Sequence, residues 1–331
     1  MDLSGSSANR PPAEAAPSPP DPPRAHSSGP RPGSERFEPA GGKIRSVLLL
    51  ADGQKTRVQE ALGEVESFLE GRGVTVAVHP DVRALRASGA ALTEQDVDLA
   101  VVLGGDGSVL TAAHAFHARP VPTIGINFGR VGFLASLEVS AWREGLVEVF
   151  EGRAVVEHRM RLEARVRRAG ELEPGVMHAM NDVVISRGEA PKMAAFRLSS
   201  AGRDVSSYRA DGLICSTPSG STAYSLAAGG PILDPALGAM VVTPISAHAL
   251  AMRPLVLDPS AELEVAVIDS PSPVSLDVDG RREASLSSGD AVLLGAAREP
   301  YPLLTIPSFD PWQRLRDRLG WAGRLDERVE E

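Results

Sequence analysis

Four short runs between residues 44 and 129 are apolar at nearly every position: IRSVLLLAD (44–52), VTVAVHP (74–80), DLAVVLGG (98–105) and VPTIGINFG (121–129). They lack polar alternation, as do strands buried on both faces of a parallel sheet. Between and after them lie segments with helical periodicity: TRVQEALGEVESFLEGRG (56–73), VLTAAHAFHA (109–118) and SAWREGLVEVFEGR (140–153). The alternation predicts an α/β N-terminal domain, with an open and mostly parallel sheet, over residues 43–155.

From residue 156 the rhythm changes. RMRLEARVRRAG (159–170), VMHAMNDVVISRG (176–188), AAFRLSSAGRDV (194–205), AELEVAVIDS (261–270), SPVSLDVDGRR (272–282) and DAVLLGAAR (290–298) are strand-like runs broken by Gly, Pro, Ser and Asp. They predict a mostly β C-terminal domain over 156–307. FDPWQRLRDRLGWAGR (309–324) predicts a C-terminal helix within 308–331, with Asp310 as N-cap, Pro311 in the first turn and Gly323 near the stop. That helix is expected to pack back on the N-terminal domain. Residues 1–42 hold 10 of the 27 prolines and almost no large apolar side chains, so a disordered tail is expected there.

Composition narrows the function. A net charge of −9 without a basic stripe argues against binding nucleic acid, whose phosphates are gripped by clustered Lys and Arg. One cysteine, Cys215, leaves no internal disulfide framework and reads as a small packed group. No apolar stretch approaches the roughly 20 residues of a membrane span, and the N-terminus lacks the apolar centre of a secretory signal. A cytoplasmic protein acting on small molecules, away from membranes, is the expectation.

Candidate chemistry begins at Leu103-Gly-Gly-Asp-Gly-Ser108, where a buried strand hands over to a helix. Glycines at 104, 105 and 107 let an anion approach main-chain N–H groups beside a positive helix end, at the edge where open α/β sheets bind ligands. Asp106 in such a loop repels the phosphate that the loop invites. Either a divalent cation lies between the two, or the carboxylate takes a proton from an attacking hydroxyl; helix capping is the plainer alternative. Neither GxxxxGK[ST] nor a helix-opening GxGxxG is present.

Two further constellations lie downstream. Ser216 to Ser225 carries seven hydroxyl side chains in ten residues, interrupted by Pro218 and Gly220; this reads as a surface for ribose hydroxyls and amides, or as an ordinary polar turn. Asn181-Asp182, heading the apolar VVIS, offers the donors and acceptors that grip a diol, or caps a turn. His114 and His117 read as ordinary helix residues because no zinc motif surrounds them. Met177 and Met180 read as core, and Phe128 as either core or a flank for an adenine ring.

Together GGDG, NFGRVGFL, Asn181-Asp182 and DGLICSTPSGSTAYSLAAGGPI (211–232) follow the order and spacing of the NAD kinases, and the chain closely resembles that family from about Ile44 to the C-terminal helix. HRMRLEA (158–164), ISAHALAMRPLVL (245–257) and VDG (278–280) agree with it. GGDG is shared with phosphofructokinases and diacylglycerol-type lipid kinases; the long STPSGSTAYSLAAGGPI segment is specific. The resemblance implies transfer of the γ-phosphoryl of ATP, or of polyphosphate, to the 2′-hydroxyl of the adenosine ribose of NAD. It also implies a divalent cation, Mg2+ above all, and a homo-oligomer, dimer or tetramer.

By position, Asp106 is the expected proton acceptor and Gly107 its neighbour against NAD. Asn181 and Asp182 match the family's pair at the NAD ribose. Arg209 and Asp211 match its Arg-x-Asp, with Asp211 near the nicotinamide amide, and Thr222, Ala223, Tyr224, Ser225, Leu226 and Ala227 match its run of NAD contacts. Three positions depart: Lys192 stands where His or Arg is frequent, Arg281 where Gln is common, and Ser219 where Thr is usual. A GGDG lipid kinase would need an apolar acceptor channel in place of the hydroxyl-rich turn. A non-catalytic NAD-sensing module would have no use for Asp106.

Overall fold

The computed structural model describes residues 34–39, 41–88, 97–130, 132–188, 192–248 and 252–321. The four apolar runs form the strands Ser46–Ala51, Thr75–His79, Leu99–Gly104 and Thr123–Asn127, all parallel to their neighbours. Side chains on a strand alternate between faces, and both faces here are dry. Leu49, Val101 and Ile126 face one apolar cluster with Val65 and Leu69 of helix Thr56–Glu70 and Leu146 of helix Trp142–Phe150. Leu48, Leu50, Ala100 and Val102 face the other, with Val109, Ala112 and Phe116 from the helix beginning at Asp106.

Three elements redraw the expected domain limits. Beyond Thr123–Asn127 the sheet continues through Tyr301–Thr305 and Val155–Arg159 to an edge strand, Ser34–Arg36. The first domain is therefore discontinuous, and strand 301–305 returns to it from the region assigned to the β domain. Most of the expected tail lies outside the described residues, but Ser34–Arg36 does not: it pairs with Val155–Glu157, where backbone pairing offsets the ordering cost that composition alone weighs. A short helix, Val82–Ser88, was not expected from the sequence pattern.

The second domain is a pair of antiparallel sheets, one of seven strands and one of six, packed face to face. Leu162, Phe196, Leu198 and Val265 from the first meet Val183, Ile185, Leu213 and Val278 from the second in one core. Cys215 is buried in it, where desolvation pushes its thiol up to about 12 and keeps it unreactive. Met180 packs in the first domain's core instead, joining the two units.

The C-terminal helix is Pro311–Leu319, capped by Asp310, whose carboxylate accepts from Trp312 N–H at 2.9 Å. It stops at Gly320 in the left-handed region (φ 68°), three residues before the glycine expected to end it. It does return to the first domain. Buried Arg314 donates to the carbonyls of Ala135 (2.7 Å) and Gly132 (3.3 Å) and pairs with Glu138 at 2.7 Å. No helix among the described residues is long and apolar enough to cross a membrane.

Candidate active site

The turn of the opening motif lies at the carboxyl ends of the central strands, with Gly105 extended as N-cap of the helix Asp106–Ala115. Gly104 is forced by packing: a Cβ there would stand 2.1 Å from Ser108 Oγ. Around Gly107 an added Cβ meets nothing within 4 Å, so the protein leaves that space open.

Asp106 is not a cap. Its Oδ2 accepts from Phe133 N–H at 2.8 Å and its Oδ1 from Leu134 N–H at 3.0 Å and Ala135 N–H at 3.3 Å. Residues 133–135 thus form a three-amide cradle for the carboxylate, braced from behind by Arg314. Gly132 makes the approach possible, since a Cβ there would lie 2.2 Å from Asp106 Oδ1. A carboxylate offers about four lone-pair sites; three are taken, and one on Oδ2 is left for a ligand.

Above this loop stands a cation that sequence reasoning missed. Asp52, buried at the end of strand 46–51, binds Lys55 (Nζ 3.3 Å) and Arg83 (Nε 2.7 Å). These contacts hold Lys55 Nζ about 4 Å from the Cβ positions of Gly105 and Gly129, between the two glycine turns. The available signal was a lysine in the first strand-to-helix turn, DGQK.

Opposite lies the second domain's contribution. Asp279, of the VDG turn, takes φ 45° and its carboxylate accepts the N–H groups of Met180 (2.8 Å), Asn181 (2.7 Å) and Asp182 (3.0 Å). The Ser-Thr turn is stitched to the same segment: Thr217 N–H donates to Asn181 O at 2.8 Å, and a Cβ on Gly220 would lie 2.0 Å from that oxygen. Asn181 remains half-buried.

Asp182 differs from the expected ribose ligand. Its carboxyl group is buried, and burial first, then the neighbouring Asp279 charge, pushes it up to about 7, against a hydrogen bond from Tyr224 N–H. It holds the 222–224 turn in place from below.

The hydroxyl-rich turn is likewise largely internal. Thr217 Oγ1 donates to Met180 O, Ser221 Oγ to Pro218 O, and Ser225 Oγ pairs with Thr243 Oγ1 at 2.9 Å. Buried hydroxyls have to find such partners, so density of hydroxyls in the sequence overstated what faces a ligand. Ser225 is fully buried, whereas Thr222 and Ala223 are half-buried, Tyr224 is 46% exposed, Leu226 is half-buried and Ala227 is exposed.

Between the turn and the C-terminal helix lies a cavity of about 160 Å3 lined by Phe133, Leu134, Ser219, Thr222, Trp312 and Leu315, among others. Phe128, the aromatic weighed for an adenine flank, packs into the first domain's core; Phe133 is the ring that meets the cavity.

Lys192, Arg209 and Asp211 are elsewhere. Strand Asp182–Ser186 runs antiparallel to Gly212–Ser216, pairing Asp182 with Ser216 and Ser186 with Gly212. Asp211, bonded to Arg187, therefore lies at the far end of the sheet from Asn181, roughly 20 Å away at strand rise over six residues. It pairs with Arg187 Nε at 2.6 Å, while Arg209 and Lys192 are exposed nearby. That separation suits an extended two-part ligand better than one compact cluster. Arg281 pairs with Glu283 at 2.5 Å beside a cavity that also meets His114.

Among the described residues, no three His, Cys, Asp or Glu side chains gather as a metal site. A magnesium-type cation, which keeps waters and is carried largely on substrate phosphates, would need no such cluster.

Comparison with known proteins identifies the family. Residues 44–154 match the family model of the ATP-NAD kinase N-terminal domain, and residues 180–306 that of the ATP-NAD kinase C-terminal domain. The NAD kinase of Gemmatimonas aurantiaca is 38% identical over 250 residues, covering 75% of this chain and 86% of that protein. The NAD kinase of Hahella chejuensis is 35% identical over 292 residues, covering 86% and 98%. Yeast NADH kinase, solved with NADH, superposes with a TM-score of 0.76 at 27% identity over 86% of this chain and 90% of that one. An Archaeoglobus fulgidus NAD kinase, solved with ATP, shares the fold with a TM-score of 0.65 at 23% identity, over 83% and 97%.

Proposed function

The chain belongs to the NAD kinase family and phosphorylates NAD to NADP, and we propose that Asp106 is the group that takes up the proton of the acceptor hydroxyl. The observation that carries this reading is the amide cradle. Three main-chain donors fix the carboxylate in one orientation and leave one acceptor position open.

ATP is the proposed donor. Its terminal phosphates lie against the glycine turns, where the N-terminus of helix 106–115 and Lys55 Nζ supply positive charge. Asn181 binds the adenosine ribose, and Thr222, Ala223 and the exposed face of Tyr224 border the dinucleotide. With the 2′-hydroxyl in line with the γ-phosphorus, its oxygen forms the new P–O bond while the bond to ADP breaks, and the proton passes to Asp106 Oδ2. A divalent cation carried on the phosphates would neutralise the charge on the triphosphate. The arrangement is mainly one of positioning, as phosphoryl transfer requires.

The protein is further proposed to act in the cytoplasm as a homo-oligomer. Strand Leu255–Leu257 ends the six-stranded sheet with Val256 53% exposed, an open apolar edge of the kind that pairs with another copy. Light scattering at working concentration tests this, and a clean monomer overturns it.

Replacing Asp106 with Asn tests the catalytic assignment. The variant is expected to lose about 10²- to 10⁴-fold in kcat, the usual worth of general-base assistance, while NAD affinity by calorimetry stays within a few-fold. Wild-type turnover by the variant contradicts the assignment.

A further inference from the structure

His114 sits in the last turn of the helix that begins at Asp106, about 12 Å along its axis at 1.5 Å per residue. Its Nε2 lies 3.0 Å from Asp279 Oδ2, across the interface between the domains, and the Asp279 side chain is 1% exposed. That carboxylate is the one that gathers the amides of residues 180–182, and Asp279 N–H in turn donates to Asp182 O at 3.0 Å. The turn is held in a left-handed conformation that residues other than glycine rarely adopt, so the contacts dictate it.

We propose that His114 is a positioning residue for phosphoryl transfer. The His114–Asp279 pair is the strut by which the helix carrying Asp106 sets the height and tilt of Asn181, and so aligns the acceptor ribose with the proton acceptor. The inference rests on the NAD kinase reading and adds a residue to it. A helix is stiff over three turns, so a contact at its far end adds a fixed point to the register between the domains, beside the apolar packing at Met180 and the hydrogen bonds of Arg159 to Ser219 and Arg161 to His117 O. His117 Nδ1 lies 2.9 Å from His114 O, and its ring lies 6.1 Å from that of His178, which burial keeps toward the neutral form. His114 is thus the ring that reaches the buried carboxylate.

The test compares His114→Ala, His114→Gln and His114→Arg in the full-length protein with MgATP and NAD. The alanine variant is expected to lose at least tenfold in kcat, with the KM for ATP within twofold, because the donor's site is untouched. It should also exchange the amide protons of residues 180–182 faster than wild type. Gln and Arg, which still present a donor to Asp279, should recover most of the lost kcat. An alanine variant with wild-type kcat and only a lower melting temperature overturns the proposal, as does equal loss in all three variants. Should the alanine variant fail to fold, His114→Asn, too short to reach the carboxylate, serves the same comparison. A wild-type protein that fails to phosphorylate NAD refutes the family reading itself, a distinct outcome.

Discussion

Gly132→Ala separates the proton acceptor from its cradle without touching a ligand. Gly132 is buried, and its φ lies outside the left-handed region, so alanine meets no backbone strain. The obstacle is steric: the new Cβ would lie 2.2 Å from Asp106 Oδ1, 2.5 Å from Cγ and 2.6 Å from Oδ2. Ordinary contact is roughly 3.5 Å, so the carboxylate has to recede by about 1 Å, and it is the mobile partner. Misplacement on that scale typically costs about 10²-fold in rate. We expect kcat to fall at least that far, with the KM for NAD within a few-fold and the far-ultraviolet circular dichroism unchanged. Gly107→Ala adds a methyl in open space on the helix of Asp106, where alanine is favoured over glycine by about 0.5–1 kcal/mol, so its melting temperature should rise. A folded Gly132→Ala enzyme with kcat within threefold of wild type would refute the cradle's role.

Three other outcomes follow from the same geometry. Lys55→Ala should raise the KM for ATP about tenfold or more and leave that for NAD unchanged; the reverse pattern removes Lys55 from the phosphates. Asp182→Asn tests the buried carboxyl held up to about 7: its stabilising contribution is complete below its unfolded value near 3.8 and is lost as pH rises through about 7. The variant should therefore melt higher than wild type at pH 8, by up to about 4 kcal/mol at roughly 1.4 kcal/mol per pH unit, with the gap closing toward pH 4; a pH-independent gap contradicts this. Ser225→Ala, which strands the buried Thr243 hydroxyl, should cost about 1–3 kcal/mol of stability without altering the KM for NAD, and a changed KM would return Ser225 to the ligand surface.

Much of this was legible in the chain because burial on both faces leaves a mark in composition: the runs around Leu49, Val101 and Ile126 read as parallel strands, and they are. The site was legible where a residue's chemistry conflicted with its setting, as with Asp106 among glycines. What escaped depended on partners distant in sequence. Nothing near Ser34–Arg36 announces the strand 155–159 that orders it, and Tyr301–Thr305 gives no sign that its sheet belongs to the other domain. Hydroxyl-rich sequence around Thr217, Ser221 and Ser225 cannot distinguish a ligand-facing turn from one bonded inward. His114, unremarkable on its helix, becomes significant only when Asp279 arrives from 165 positions later to meet it.

A crystal structure of the protein with NAD and a non-hydrolysable ATP analogue measures the distance on which the account turns. The 2′-hydroxyl should lie within hydrogen-bond reach, about 2.6–3.2 Å, of Asp106 Oδ2, with Asp106 still accepting the amides of residues 133–135. A 2′-hydroxyl bonded to another group and beyond the reach of Asp106, while the γ-phosphorus stands in line behind it, would contradict the account.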